Sequence, residues 1–225
     1  MLYHQHASLD PASYHQQLLQ LAIDAGVQIV PQCAVIGLSG KDKQGNIQVT
    51  TQPGTLQAKE VVVATNGYTG TITPWHRRRV IPIGSYIIAT EPMEKPVMDR
   101  LMPKHRIYSD TCKVVYYYRA SPDRTRILFG GRVSSSETDP AKSAPLLRAD
   151  LSRLFPELSN IRLSHSWMGF VAYTFDTLAH IGNHKGIHYA MGYCGSGVSM
   201  ASYFGMRCGH KVLCLLYTSP SPRDS

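Results

Sequence analysis

The sequence predicts an α/β chain in which a mostly β middle section is set between flanking α/β segments. Three observations carry that expectation. A capped, helix-spaced segment begins at Asp10. A β-branched run, Val61 to Ala64, ends in a turn of small residues. From about Val80 the sequence changes to aromatic strand segments broken by turn signals.

The elements follow in order. Asp10 can cap a helix, Pro11 suits its first position and Gly26 can close it, with Tyr14, Leu18, Leu21, Ala22 and Ala25 on one face. Short β-rich pieces come next: "VQIV", "AVIGLS", and "IQVTT" after a "KQGN" turn. The run Val61 to Ala64 reads as a strand buried on both faces, stopping at Thr65-Asn66-Gly67. "PIGSYIIATEP", "KVVYYYRA" and "RILFGGRVS" are strand-like, with a turn at Ser121-Pro122-Asp123. Asp139 caps a helix with Leu147, Leu151 and Leu154 on one face. The strands "RLSHSWMGFVAYT" and "GIHYAMGY" lead to a glycine-rich turn and a helix from near Val198 to about Val212. The closing "YTSPSPRDS" has nothing to bury and is expected to be a disordered or artefactual tail.

Composition narrows the function classes. With 225 residues, 43% hydrophobic and 17% charged, the chain can bury a substantial core. No apolar run approaches the length of a membrane span, and the polar start is no signal peptide. Five cysteines without metal spacing favour free thiols in a reducing compartment, hence a cytoplasmic location. His4, His6 and His15 have no carboxylate or cysteine partner at ligand spacing, so no metal is expected. The net charge of +8 is dispersed except for His76 to Arg79. Such a cluster suits a solvated loop or an anion contact, and no nucleic-acid partner is expected.

The stretch Gly192 to Gly205, "GYCGSGVSMASYFG", places four glycines ahead of and within a helix. A tight loop would explain it. So would a ligand approaching backbone N–H groups at a helix N-terminus, where unsatisfied donors and the helix dipole favour an acceptor. Its glycine spacing is not the dinucleotide fingerprint.

Together with "SLDPASYHQQLLQLAIDAGVQI", "VVVATNGYT", "LFGGR" and "FDTLAHIGNHKGIHYAMGY", this stretch resembles the D-amino-acid-oxidase-like family of FAD-dependent amine and amino-acid oxidoreductases. The nearest branch is the γ-glutamylputrescine-oxidase-like one, and the resemblance runs from Leu9 to Leu213. It implies a partial Rossmann-like FAD-binding domain, lacking its first βαβ unit, interleaved with a mixed-sheet α+β substrate domain. The expected division is 1–79 and 171–213 for FAD, 80–170 for substrate, and 214–225 as tail. It also implies that Ala64, Thr65, Asn66 and Gly67 lie along the FAD, and that the strand at Ala34 and Val35 meets its adenine side. Gly192, Cys194, Gly195, Ser196, Gly197 and Val198 would sit against the flavin, the helix N-terminus at its O2/N1 edge. There the dipole would stabilise the anionic reduced ring.

The reaction implied is hydride transfer from the carbon beside an amine nitrogen to the flavin, with O2 as final acceptor. It asks for an aromatic chamber, and the candidates are Tyr86, Tyr116, Tyr118, Trp167, Phe170 and Tyr173, each of which core packing would also explain. Arg132 could meet substrate or flavin, or form a surface ion pair. Asp176 and His180 precede the glycine loop and could lie near the flavin; Asp176 could equally be a cap. Cys194 reads as a small turn residue rather than a covalent flavin link. Several amino-acid-specific relatives hold the substrate carboxylate with an arginine where Val171 stands, so the implied small-molecule substrate is an amine. A D-amino-acid or sarcosine-type activity, a non-catalytic remnant, and an anion- or nucleic-acid-binding module remain the alternatives. The family's opening GxGxxG turn is absent, so the chain is expected to be a fragment that neither retains FAD nor turns over.

Overall fold

The computed structural model describes residues 7–111, 115–134 and 139–214, except for the side chains of residues 132–134. The tail expected from residue 214 falls, beyond Cys214, outside the described residues, as does Cys112. The chain divides into two units: Met1–Gln28 with Ile83–Phe170, and Ile29–Pro82 with Val171–Ser225. Residues 1–28, grouped by sequence with the stretch that follows them, thus belong with the β-rich middle section.

The first unit opens with α1 (Pro11–Asp24). Asp10 caps it, its carboxylate accepting the Ala12 amide at 3.0 Å and the Ser13 hydroxyl at 2.9 Å. None of its residues is buried, although the sequence gives it an apolar face. The Arg119 guanidinium donates to the Leu9 carbonyl at 2.7 Å beside its start. In place of the strand expected at Val27 to Val30 the backbone is irregular, and Gln32 follows at a φ of 56°.

The second unit supplies β1 (Val35–Leu38), β2 (Ile47–Thr51) and β3 (Thr55–Ala58), an antiparallel sheet in that order. β4 (Val61–Val63) then ends at a 3₁₀ turn, Asn66–Tyr68, and the short α2 (Pro74–Arg77) follows. β5 (Ile81–Thr90), α3 (Lys95–Leu101), β6 (Tyr108–Ser109), β7 (Tyr117–Ala120), β8 (Ile127–Ser134), α4 (Pro140–Leu154) and β9 (Leu163–Tyr173) make up the middle section. The sheet order there is β6-β7-β8-β5-β9. α3 is an addition to the sequence reading: seven residues between prolines leave too short a period to recognise.

One face of this five-stranded sheet carries the larger core. Tyr86 and Ile88 of β5 meet Ile127 and Phe129 of β8, covered by Met98 and Met102 near α3 and by Leu147 and Leu151 of α4. Each such side chain contributes roughly 1.5–3 kcal/mol on burial. α4 begins on Asp139, whose carboxylate accepts the Ala141 amide at 2.9 Å.

The second unit is completed by β10 (His180–His184), β11 (Ile187–Met191) and α5 (Gly197–Val212). β10 pairs antiparallel with β11, and β11 pairs parallel with β4, Val61 opposite Ile187 and Val63 opposite Tyr189. Expected to be buried on both faces, β4 is not: Val63 is buried, but Val62 is 47% exposed. Lys41 (2.7 Å) and His188 Nε2 (3.2 Å) converge on Glu60 just before β4. A small core joins Val80, Ala172 and Met191, with Tyr189 against it.

His76 of α2 is buried, and neither ring nitrogen has a hydrogen-bond partner among the described residues. Burial first, then the charges of His184 and Arg79, push its pKa below the ordinary imidazole value. The unfolded chain therefore binds this proton more readily than the folded one. The neutral ring's contribution is whole above the unfolded pKa of about 6.5 and is lost as pH falls below it towards the folded value. Urea unfolding at pH 7.5 and pH 5.5 is expected to show the midpoint falling on acidification, and falling less in His76→Phe. An equal drop in both proteins would mean that other groups set the dependence.

Candidate functional site

The site grows from the ends of two neighbouring parallel strands, where open α/β sheets hold ligands. β4 runs out at Val63, and Ala64 and Thr65 lead into the 3₁₀ turn. Asn66 sits there at a φ of 44°, a left-handed conformation that asparagine tolerates better than most residues. β11 runs out at Met191, and Gly192 follows at a φ of 76°. The Gly192 amide donates to Asn66 Oδ1 at 2.9 Å, joining the two turns across 126 residues of sequence. A Cβ on Gly192 would stand 2.3 Å from Thr174 Cγ2, so glycine is required there twice over.

Beyond Gly192 the chain tightens into the helix. The Cys194 amide donates to the Ala172 carbonyl at 3.0 Å and the Ser196 amide to the Tyr193 carbonyl at 2.9 Å. Cys194 and Gly195 both have positive φ, 50° and 97°. Ser196 stands at the N-cap of α5 without a side-chain cap, and the first turn contains no acidic residue. The amides of Gly197, Val198 and Ser199 therefore meet the N-terminal end with no intrahelical acceptor. A Cβ on Gly195 would meet nothing within 4 Å. A planar group rich in acceptors, such as a flavin, fits this turn and its dipole.

The other expected site residues are distributed more widely. Val35 begins β1, in a different sheet from the one bearing the junction. Tyr86 is 1% exposed within the first unit's core and has no surface to offer a small molecule. Tyr118 packs against that core, stacked with Tyr108 at 5.0 Å, and the Tyr116 hydroxyl donates to Asp150 at 2.9 Å on α4. Tyr86 is thus a core residue, whereas Tyr116 and Tyr118 also line a cavity of about 360 Å³ with Tyr108, Phe129 and Asp150. Trp167, Phe170 and Tyr173 lie along β9, Trp167 the most exposed of them. Arg132 lies on β8, and its side chain falls outside the described residues.

Asp176 accepts from His180 Nε2 at 3.0 Å and from the Leu178 amide at 3.1 Å. These hydrogen bonds, His180 first, hold its pKa down at about 2. It shapes its own turn.

Two residues escaped the sequence reading. Thr174 packs against Gly192, and its hydroxyl donates to the Leu178 carbonyl at 2.8 Å. Tyr117 lies over Gly130, where an added Cβ would be 2.1 Å from its ring, and its hydroxyl meets that of Ser85 at 2.7 Å. Strict alternation in "VVYYYRA" would have set Tyr117 apart from Tyr116 and Tyr118.

A parallel strand pair leading into a glycine turn and a helix N-terminus in one unit, with a five-stranded sheet in the other, defines a mixed α/β protein. The chain belongs to the FAD dependent oxidoreductase family, whose profile matches residues 1–208. It is 31% identical over 210 residues to the probable oxidoreductase OrdL of Haemophilus influenzae, covering 91% of this chain and 47% of that protein. To the gamma-glutamylputrescine oxidoreductase of Escherichia coli it is 31% identical over 159 residues, covering 70% and 37% respectively. The chain thus spans less than half the length of these relatives. In fold it is similar to L-proline dehydrogenase from P. horikoshii, with a TM-score of 0.75, 18% identity, and coverage of 94% of this chain and 57% of that one. Glycine oxidase from Geobacillus kaustophilus gives 0.69 and 20%, covering 87% and 52%. Among the described residues no helix is long and apolar enough to cross a membrane, and no group of His, Cys, Asp or Glu could hold a metal ion.

Proposed function

We propose that this chain forms the flavin-facing part of an FAD-dependent oxidoreductase that oxidises the C–N bond of an amine. The observation that carries the reading is the junction of Gly192 with Asn66 ahead of the uncapped N-terminus of α5. FAD, when bound, supplies the acceptor for the hydride. The chain's part is to aim the amides of Gly197, Val198 and Ser199 at the ring's acceptor edge, with Asn66 and Thr174 holding the turn in place. The dipole of α5 favours negative charge at that edge. Val171, an aliphatic residue where an arginine would clamp a carboxylate, supports an amine over an α-amino acid, and so does the name of the Escherichia coli relative. A γ-glutamylated diamine is the proposed substrate.

The described junction offers backbone donors worth about 1 kcal/mol each, so FAD affinity for this chain alone is expected to be weak, in the region of ~1 mM. Equilibrium titration should detect FAD that gel filtration removes. Val198→Asp, which sets a carboxylate in the first turn of α5, is expected to weaken that binding about tenfold. Identical titrations of the two proteins would refute the assignment of the flavin to this helix. In a polypeptide of the relatives' full length, peroxide release should be faster with γ-glutamylputrescine than with D-alanine; the reverse order would overturn the substrate alone.

A further inference from the structure

A cavity of about 300 Å³ opens in the second unit, walled by Trp75, Tyr189, Met191 and Phe175 and by four polar residues, Arg79, Thr174, Asp176 and His180. That volume and mixture are those of a small-molecule site. Its polar groups are unequally committed. The Thr174 hydroxyl donates to the Leu178 carbonyl, and Asp176 accepts from both His180 and the Leu178 amide. Arg79 is different. Its guanidinium lies 3.6 Å from the centre of the Trp75 ring and donates through Nη1 to the Trp75 carbonyl at 2.9 Å. No carboxylate among the described residues forms an ion pair with it.

The support beneath Arg79 is rigid. Trp75 stacks on His184 with ring centres 4.0 Å apart and 12° between planes. The buried His76 ring meets Trp75 and Tyr189 edge-on, each at 5.0 Å. A guanidinium held flat by an aromatic ring, with donors left to spend, is arranged to receive a planar anion. The aromatic and thioether walls require the rest of the ligand to be apolar.

We propose that this cavity binds a planar aromatic carboxylate, with the carboxylate on Arg79 and the ring system between Tyr189, Phe175 and Met191. The site goes beyond the proposed oxidoreductase reading: it shares Thr174 with the flavin-facing turn, but its anion-binding group, Arg79, lies apart in sequence from the amides at the start of α5. A neutral occupant would leave the guanidinium's charge and its remaining donors without an anionic partner, and a cationic one would be repelled by it.

Calorimetric titration of the 225-residue chain with 2-naphthoate tests the site, with 2-naphthylmethanol as the neutral match in shape. The acid is expected to bind at least tenfold more tightly than the alcohol. Arg79→Met should reduce that ratio to near one, and Arg77→Met should leave it unchanged. Arg79→Lys, which keeps the charge but not the planar fork, should recover part of it. Equal binding of acid and alcohol to the unaltered chain overturns the proposal without recourse to any variant. So does an unchanged ratio in Arg79→Met, or displacement of 2-naphthoate by FAD, which would make the cavity part of the flavin site.

Discussion

Gly192→Ala is expected to lower the stability of the second unit by about 3 kcal/mol, adding the strain of a left-handed backbone to that of overpacking. The first contribution follows from its φ of 76°. The second follows from the 2.3 Å between an added Cβ and Thr174 Cγ2. Thr174 cannot retreat cheaply, because it is buried and its hydroxyl is tied to the Leu178 carbonyl. Gly195→Ala is the control. Its φ of 97° imposes a similar backbone strain, but the added methyl meets nothing within 4 Å. Urea unfolding should therefore rank Gly192→Ala well below Gly195→Ala. Equal losses would show that backbone conformation alone makes glycine necessary there.

Phe129→Ala should have a comparable effect on the first unit, costing about 3–5 kcal/mol. Phe129 is 1% exposed, stacked with Tyr116 at 5.4 Å and Tyr118 at 6.2 Å, and paired across the sheet with Ile88. Truncation would leave a void bounded by strands on one side and by α3 and α4 on the other, with little freedom to collapse. Ile88→Val, on the same face, removes a single carbon and should cost about 0.5–1.5 kcal/mol. A loss below about 1 kcal/mol for Phe129→Ala would mean that this core is not packed as described.

Local chemistry made much of the fold legible in sequence. Asp10 followed by Pro11 and Asp139 followed by Pro140 mark helix starts because cap and first-turn preferences act over a few residues. The end of β11, its glycine turn and α5 were legible for the same reason. What escaped depends on partners distant in sequence. Val61 to Ala64 reads as buried on both faces, since a short apolar run cannot reveal that only β11 pairs with it among the described residues. Val27 to Val30 has strand composition but gains no strand partner. Tyr86 reads as a chamber residue yet lies in the core, because an aromatic strand does not announce which face is covered. The register shift between Ser85 and Tyr86 complicates that parity further. Of the candidate site, Asn66 and Gly192 were readable as turn residues, but Thr174 was not, since its contact with Gly192 exists only after the strands have met.

The parallel pairing of β4 with β11 also dictates an order of assembly. Val61 must wait for Ile187, so the whole of the first unit's sheet sequence leaves the ribosome before the second unit can close its own. Closing so long a loop is an entropic cost that precedes any reward from the contacts made. Meanwhile β1 to β3 can pair among themselves, each hairpin needing only near neighbours. β4 waits for its parallel partner β11 throughout that interval. Protein yield should therefore depend on how quickly β5 to β9 collapse and carry the late strand to its place, and a chaperone that shields Val61–Val63 during synthesis would raise it.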